Sequence, residues 1–185
     1  MAEHMDPNRS DWSWLQDTYW YVPTENLSAL QLDPENNTLT WVVDQTVWHV
    51  TGYDNGYFWG VSATLIRQSG EETAQQGPAS RPVCFSMLGT ITPEGEVHLT
   101  FIPSLTSSSR SATIGIGCAV KHQSGWSLEM QMSSGNDTRT AHWAYMVRVQ
   151  PGDASWESLP GVGISVPQML QGCQPPQLSG VNKLQ

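Results

Sequence analysis

The chain has 185 residues, a formal net charge of −9 and only 14% charged residues. That length makes one domain with room for a hydrophobic core, and 38% apolar residues with 16 glycines argue against disorder. Eight basic against 17 acidic residues argue against nucleic acid or an anionic membrane surface as partner, and a surface built from Ser, Thr, Asn and Gln suits strands and turns better than exposed helices.

No apolar run approaches the roughly 20 residues of a spanning helix. The polar start, 1–10, reads as an extension outside the fold, and the chain is expected to be cytoplasmic. Cys84, Cys118 and Cys173 are an odd number without CxxC spacing, which implies neither a disulfide framework nor a zinc knuckle. The sequons at Asn26, Asn36 and Asn136 then read as chance matches.

A short helical turn fits 11–15, after which the hydrophobic period becomes two. Strands are expected over 18–22 and 28–32, then over 38–53 with a bulge near Asp44-Gln45, and Asn55-Gly56 is a strong hairpin signal because both central residues of a type I′ turn need positive φ. Strand 57–67 returns, and a Gly/Gln/Ser/Pro loop spans 70–82. Strands 83–92 and 96–102 pair across Pro93-Glu94-Gly95, and a serine-rich loop covers 104–111. Strands 112–122 and 126–132 pair across Gln123-Ser124-Gly125, and Gly135-Asn136-Asp137 leads to 138–150. About nine closely spaced strands predict an all-β fold, a single antiparallel β-barrel over 11–150. An irregular segment, 151–185, with one helical turn at 167–171, is expected to pack on it.

Turn lengths assign faces, because strand residues alternate sides. Around Asn55-Gly56, Trp48/Ala63, Val50/Val61 and Gly52/Trp59 form an apolar face, with His49, Thr51, Phe58, Gly60 and Ser62 opposite. A three-residue loop at 123–125 pairs His122 with Trp126 and Cys118 with Met130, and the next turn sets Met130 beside His142 and Trp126 beside Met146, with Arg148 on the same face. His98, paired with Thr90, is expected on a solvated face. Nine tryptophans against three phenylalanines suit either a cavity wall that offers one N–H donor per ring or ordinary cross-strand packing.

Trp20 in Thr18-Tyr19-Trp20-Tyr21 and Arg148 in Met146-Val147-Arg148 resemble the calycin class of lipocalin-like barrels. There a first-strand tryptophan is packed by an arginine or lysine from near the end of the barrel. The resemblance covers 12–150 and implies a cation–π contact between Arg148 and Trp20.

GxSxG, GxxxxGK[ST], HExxH and GxGxxG are all missing, which sets aside the common hydrolase, nucleotide and zinc-protease chemistries. Asp44, inside an apolar strand, reads either as a buried general acid or base or as the mark of a bulge or edge. His122, His142 and Cys118 can be read as a zinc, copper or haem site, as an acid–base site, or as satisfied buried side chains. The expectation taken forward has no metal and no cofactor. The barrel binds an apolar aromatic or polycyclic small molecule and acts as an isomerase, cyclase or lyase. His142 moves the proton, His122 assists, and Arg148 or Tyr145 steadies negative charge. Trp20, Trp41, Trp48, Trp59, Trp126, Met130, Met146 and Cys118 line the pocket. The alternatives are a carrier with the same cavity, or a lectin-like β-sandwich in which Trp12, Trp14 and Trp156 stack on sugars. The chain is expected to be a monomer or, through exposed strand edges, a homodimer.

Overall fold

A computed structural model describes residues 11–25, 27–68, 81–103, 112–135, 139–177 and 179. The expected extension 1–10, Asn26, most of the 70–82 loop, the 104–111 loop and residues 136–138 lie outside the described residues. Nine antiparallel strands are present: β1 (Thr18–Tyr21), β2 (Leu27–Asp33), β3 (Thr38–Asp54), β4 (Tyr57–Gln68), β5 (Val83–Ile91), β6 (Glu96–Pro103), β7 (Thr113–His122), β8 (Gly125–Ser134) and β9 (Arg139–Val149). They occupy eight positions of one closed barrel. The 17-residue β3 pairs with β4 along one side, and along the other with β1 at Val47–Val50 and β2 at Thr38–Asp44. β1 and β2 then both pair with β9, so two short strands in line act as one staved strand. Every strand has a neighbour on each side, which rules out the two-sheet sandwich and removes the exposed edges expected from the sequence.

The break between β1 and β2 falls opposite Gln45 and Thr46, whose backbone loses its strand partner there. Side chains replace it. The Gln45 amide accepts from Thr46 N–H (3.0 Å) and donates to the carbonyls of Val22 (3.1 Å) and Pro160 (3.0 Å), while Val22 N–H reaches the Thr46 carbonyl. The irregularity expected in β3 near Asp44 therefore lies in its partner. The bulge in β3 itself falls between Val50 and Gly52.

That bulge shifts the β3–β4 register by one residue. Gly52 faces Trp59 as the turn predicts, with Asn55 and Gly56 both at positive φ, but beyond it Val50 faces Gly60 and Trp48 faces Ser62. Trp48, Val50, Phe58, Gly60 and Ser62 thus point inward, and His49, Trp59, Val61 and Ala63 outward, a correction for β4 and for the Trp48/Ala63 and Val50/Val61 pairs. A second correction concerns the β7–β8 hairpin. Gly125, at φ +135°, pairs with His122, so only Gln123 and Ser124 lie outside the ladder and β7 is turned over relative to β8. Cys118 faces Glu129, not Met130. In β9 the shift is two residues, placing His142 opposite Met132, and the face is kept.

A 3-10 turn, Ser13–Leu15, closes the barrel end where β1 begins. Trp12 packs on Trp126 (5.1 Å) and Trp14 stacks on Trp126 (5.5 Å) and leans on Trp20 (6.2 Å). The Trp20 indole N–H donates to Thr18 Oγ1 (2.9 Å), which donates to the Leu15 carbonyl, tying this floor to β1. Trp20 and Arg148 are in register on adjacent strands, as in the calycin resemblance. The guanidinium, however, lies over Trp14 at 5.6 Å, because that ring sits between the two. At the other end β2 turns into β3 and β4 ends.

On the outer wall, Val47, Ala63 and Val149 are buried under Leu159, Val166 and Met169 of the carboxy-terminal strap, which carries helices α1 (Ala154–Glu157) and α2 (Val166–Met169). Trp156 stands edge-on to Tyr19 at 4.9 Å. Ser165 and Gln168 form a capping box on α2. A disulfide joins Cys84 of β5 to Cys173, 89 residues later, and corrects the reading of the cysteines as unpaired; Cys118 is free and exposed. No helix among the described residues is long and apolar enough to cross a membrane. Cys173→Ser is expected to lower the unfolding free energy by about 2–5 kcal/mol by releasing this closed loop, read as an earlier denaturant midpoint. An unchanged midpoint would mean that packing alone holds the strap.

Candidate functional site

The inner wall changes character from the tryptophan floor to the opposite end. Above the tryptophan floor, Met87, Met130, Met146, Leu99, Leu128 and Phe101 are fully or nearly fully buried. Methionine fills irregular space and adapts to a changing neighbour. Met132 occupies the room left by Gly115, its sulfur lying where a Cβ would be. Towards the opposite end the inward positions become neutral and polar. Gln31, Thr140, Ser134 and Thr113 follow one another around the rim in register and are all half-buried.

Beneath this rim lies the one buried carboxyl among the described residues. Asp44 is 5% exposed and shares an inward row with Leu27, Ala144 and Met130. Thr46 Oγ1 lies 3.0 and 3.1 Å from its two carboxylate oxygens and 2.8 Å from Thr64 Oγ1. His142 points to the same space from β9. It sits two strands away in the row Val42–Ala29–His142, where Ala29 carries only a methyl between the two walls. Burial pushes the Asp44 carboxyl above the usual carboxylate value, while the charge of His142 and the Thr46 hydroxyl pull it back. Imidazole Nδ1 of His142 lies 3.1 Å from the Trp143 carbonyl.

Of the residues expected at the site, His142, Met130 and Met146 face this interior, as do Trp20, Trp48, Trp126 and Arg148 nearer the floor. The fully buried Trp20 and Trp48 are packed in the core, with Trp48 tilted on Phe101 at 5.3 Å. Arg148 belongs to the floor and not to the Asp44–His142 end. The remaining residues face outward: the one-residue register shifts put Trp59, Cys118 and His122 there, and Trp41 and Tyr145 alternate with the inward residues of β3 and β9. Trp41 is 59% exposed. Trp59 lies across Gly52 and, with Leu88, Ile102 and Pro176, lines an outer pocket of about 240 Å³. Cys118 and Tyr145 flank Glu129 on the outer sheet.

His122 is outside too, with Nε2 at 2.8 Å from Ser127 Oγ and 3.2 Å from Glu129 Oε1. Serine and carboxylate meet the same ring nitrogen, so this is not the relay of a hydrolase, which needs the acid on Nδ1 and the serine on Nε2. The structure thus separates His122 and Tyr145 from His142 by the barrel wall. His98 is outward and exposed opposite Thr90, as expected.

Asp44 was legible as an anomaly in an apolar strand. Thr46 and Thr64 were not singled out, and only the register that pairs them reveals their role. Among the described residues no group of three or more His, Cys, Asp or Glu could hold a metal ion. Comparison with family models, curated proteins and solved structures found no match.

Since burial raises the Asp44 carboxyl above 3.8 in the folded chain, its stabilising contribution is complete below 3.8 and is lost as pH rises through the raised value. Asp44→Asn stays uncharged throughout. The variant's denaturation midpoint is therefore expected to gain on the wild type as pH rises; a pH-independent difference between the two would refute a raised carboxyl.

Proposed function

We propose that the barrel takes up an uncharged, mainly apolar small molecule at its polar-rimmed end and that Asp44 and His142 carry out acid–base chemistry on it. The observation that carries this reading is a carboxyl held away from water, on the same inner wall as an imidazole, above a core of apolar side chains. Asp44 in its protonated form donates a hydrogen bond or a proton to a ligand oxygen, and the imidazole of His142 accepts a proton from carbon. Asp44 taking its proton back from the oxygen while His142 delivers its proton to a different carbon completes an isomerisation; departure of the protonated oxygen completes an elimination, after which the proton on His142 returns to Asp44 through water. Neither route oxidises or reduces anything, so neither calls for a cofactor. The methionine layer suits a polycyclic or aromatic body of irregular outline.

A non-catalytic carrier is the second reading, favoured by the hydrogen bond that engages the Asp44 carboxylate with Thr46. We also place the chain with the lipocalin-like calycins, on the barrel and on the in-register Trp20 and Arg148. Nucleic acid and anionic membranes remain poor partners for a chain of net charge −9. The Cys84–Cys173 disulfide favours an oxidising compartment over the cytoplasm expected from the sequence.

Native mass spectrometry of protein purified gently from its source is expected to show a retained neutral molecule. With that molecule or its precursor as substrate, His142→Ala and Asp44→Asn are each expected to lower turnover by about 10²–10⁴-fold, while His122→Ala on the outer wall leaves it unchanged. Equal turnover in all three variants would remove the acid–base assignment. Tight binding with the ligand recovered intact would make the protein a carrier.

A further inference from the structure

The partner that the fold gives Asp44 is a hydroxyl group, which can donate or accept. Thr46 Oγ1 lies almost equally far from the two carboxyl oxygens, at 3.0 and 3.1 Å, and 2.8 Å from Thr64 Oγ1. The three side chains meet because Thr46 faces Thr64 in the β3–β4 ladder and because Asp44 and Thr46, two apart, point to the same side of β3. Asp44 and Thr46 are buried and Thr64 is half-buried. Around Asp44, β4 presents Thr64 and Ile66 and β2 presents Leu27, so the titratable group that faces it among the described residues is His142 of β9. Asp33, at the far end of β2, accepts from the backbone and side-chain amides of its own turn.

A protonated carboxyl must donate where a carboxylate must accept, so one fixed partner satisfies a buried acid in only one of its two states. We propose that Thr46 and Thr64 form a reversible hydrogen-bond adaptor that keeps Asp44 partnered in both. With Asp44 as carboxylate, Thr64 donates to Thr46 and Thr46 donates to Asp44. With Asp44 as acid, its O–H donates to Thr46 and Thr46 donates to Thr64. Two hydroxyl hydrogens turn about their C–O bonds; no threonine O–H bond breaks and no heavy atom moves. The adaptor rests on the reading of Asp44 as a group that gives up a proton and takes it back, and it makes Thr64 a positioning residue for that cycle. Partners already in place before and after the transfer spare the site reorganisation. Thr64 is what makes the pair reversible. Without its oxygen the acid form holds two donors, Asp44 and Thr46, one of which is left buried and unpaired. The carboxylate form loses only a donor to an oxygen that is still bonded, which is the smaller cost.

Titration of the Asp44 carboxyl by carbon-13 NMR, in the full, disulfide-intact chain without ligand, tests the adaptor. Thr64→Val strands a donor in the acid form, so it is expected to lower the Asp44 midpoint by about half a pH unit or more, and Thr64→Ser is expected to restore it. Thr46→Val removes the partner of both forms, and since the bond to the charged form is the stronger one, the midpoint is expected to rise. Drier surroundings alone would raise it in both valine variants. A midpoint that rises or stays in place in Thr64→Val overturns the proposal, because Thr64 then acts only as a donor. A midpoint that fails to rise in Thr46→Val overturns it as well, and keeps the test open if the first variant folds poorly. No turnover enters this measurement. An adaptor that fails here leaves the acid–base reading standing, and undiminished turnover in Asp44→Asn removes that reading while the titration shifts remain.

Discussion

Closure of the sheet on β3 is the constraint from which the rest follows. A 17-residue strand is longer than either β1 or β2 can cover, so the position between β3 and β9 is filled by two short strands with a break between them. Backbone groups opposite a break must find partners or carry a desolvation cost. Gln45 supplies them from the outer side and in doing so ties β3 to Val22 and to the strap at Pro160. Alternation then turns the neighbours of Gln45, Asp44 and Thr46, inward. The polar run Asp44-Gln45-Thr46 serves the seam of the barrel with its middle residue and the interior with the outer two.

The two barrel ends differ in what they contribute to stability. At the floor, Trp12, Trp14, Trp20 and Trp126 form a continuous set of ring contacts, with Arg148 over Trp14 and Lys121 near Trp126 at 5.8 Å. Buried aromatic rings are among the largest apolar contributions a side chain makes. The Asp44 end opposes folding, since a carboxyl without water favours its neutral form and has, among the described residues, only Thr46 as hydrogen-bond partner there. A rigid floor and a disulfide-anchored strap leave room for that cost. This is the arrangement expected where a site rather than the fold dictates the residue.

Much of the architecture was legible because it rests on local signals. The strand order, the Asn55-Gly56 hairpin and the inward faces of β8 and β9 follow from turn residues and period-two alternation, and His142 was placed on the correct face. Two single-residue events defeated the faces of β4 and β7. One is the bulge after Val50 and the other is Gly125 pairing within its own turn. Each shifts the register by one residue, and because side chains alternate, a shift of one moves every partner to the opposite face. That is why His122, Cys118 and Trp59, expected inside, lie outside. The Cys84–Cys173 pairing was hidden for a different reason, since a contact 89 residues apart leaves no trace in spacing.

On the proposed reading, in which the barrel takes up a small molecule, the inward methionines and the buried acid would address different parts of one recognition problem. An interior shaped only by branched and aromatic side chains selects a ligand by outline, and the cost of a poor fit is steep because packed cores do not deform freely. Met87, Met130, Met132 and Met146 relax that selection, as thioether chains change rotamer cheaply. Discrimination then has to come from polar groups, and a site loses far more by leaving a buried donor or acceptor unpaired than by an imperfect apolar contact. Asp44, Thr46, Thr64 and His142 are such groups at one place on the wall. A ligand that offers them an oxygen gains most, and an apolar body of the same size without one leaves Asp44 confined with Thr46 alone. Selectivity on that reading would be concentrated at the seam where β1 and β2 part, the same place that closure of the sheet made polar.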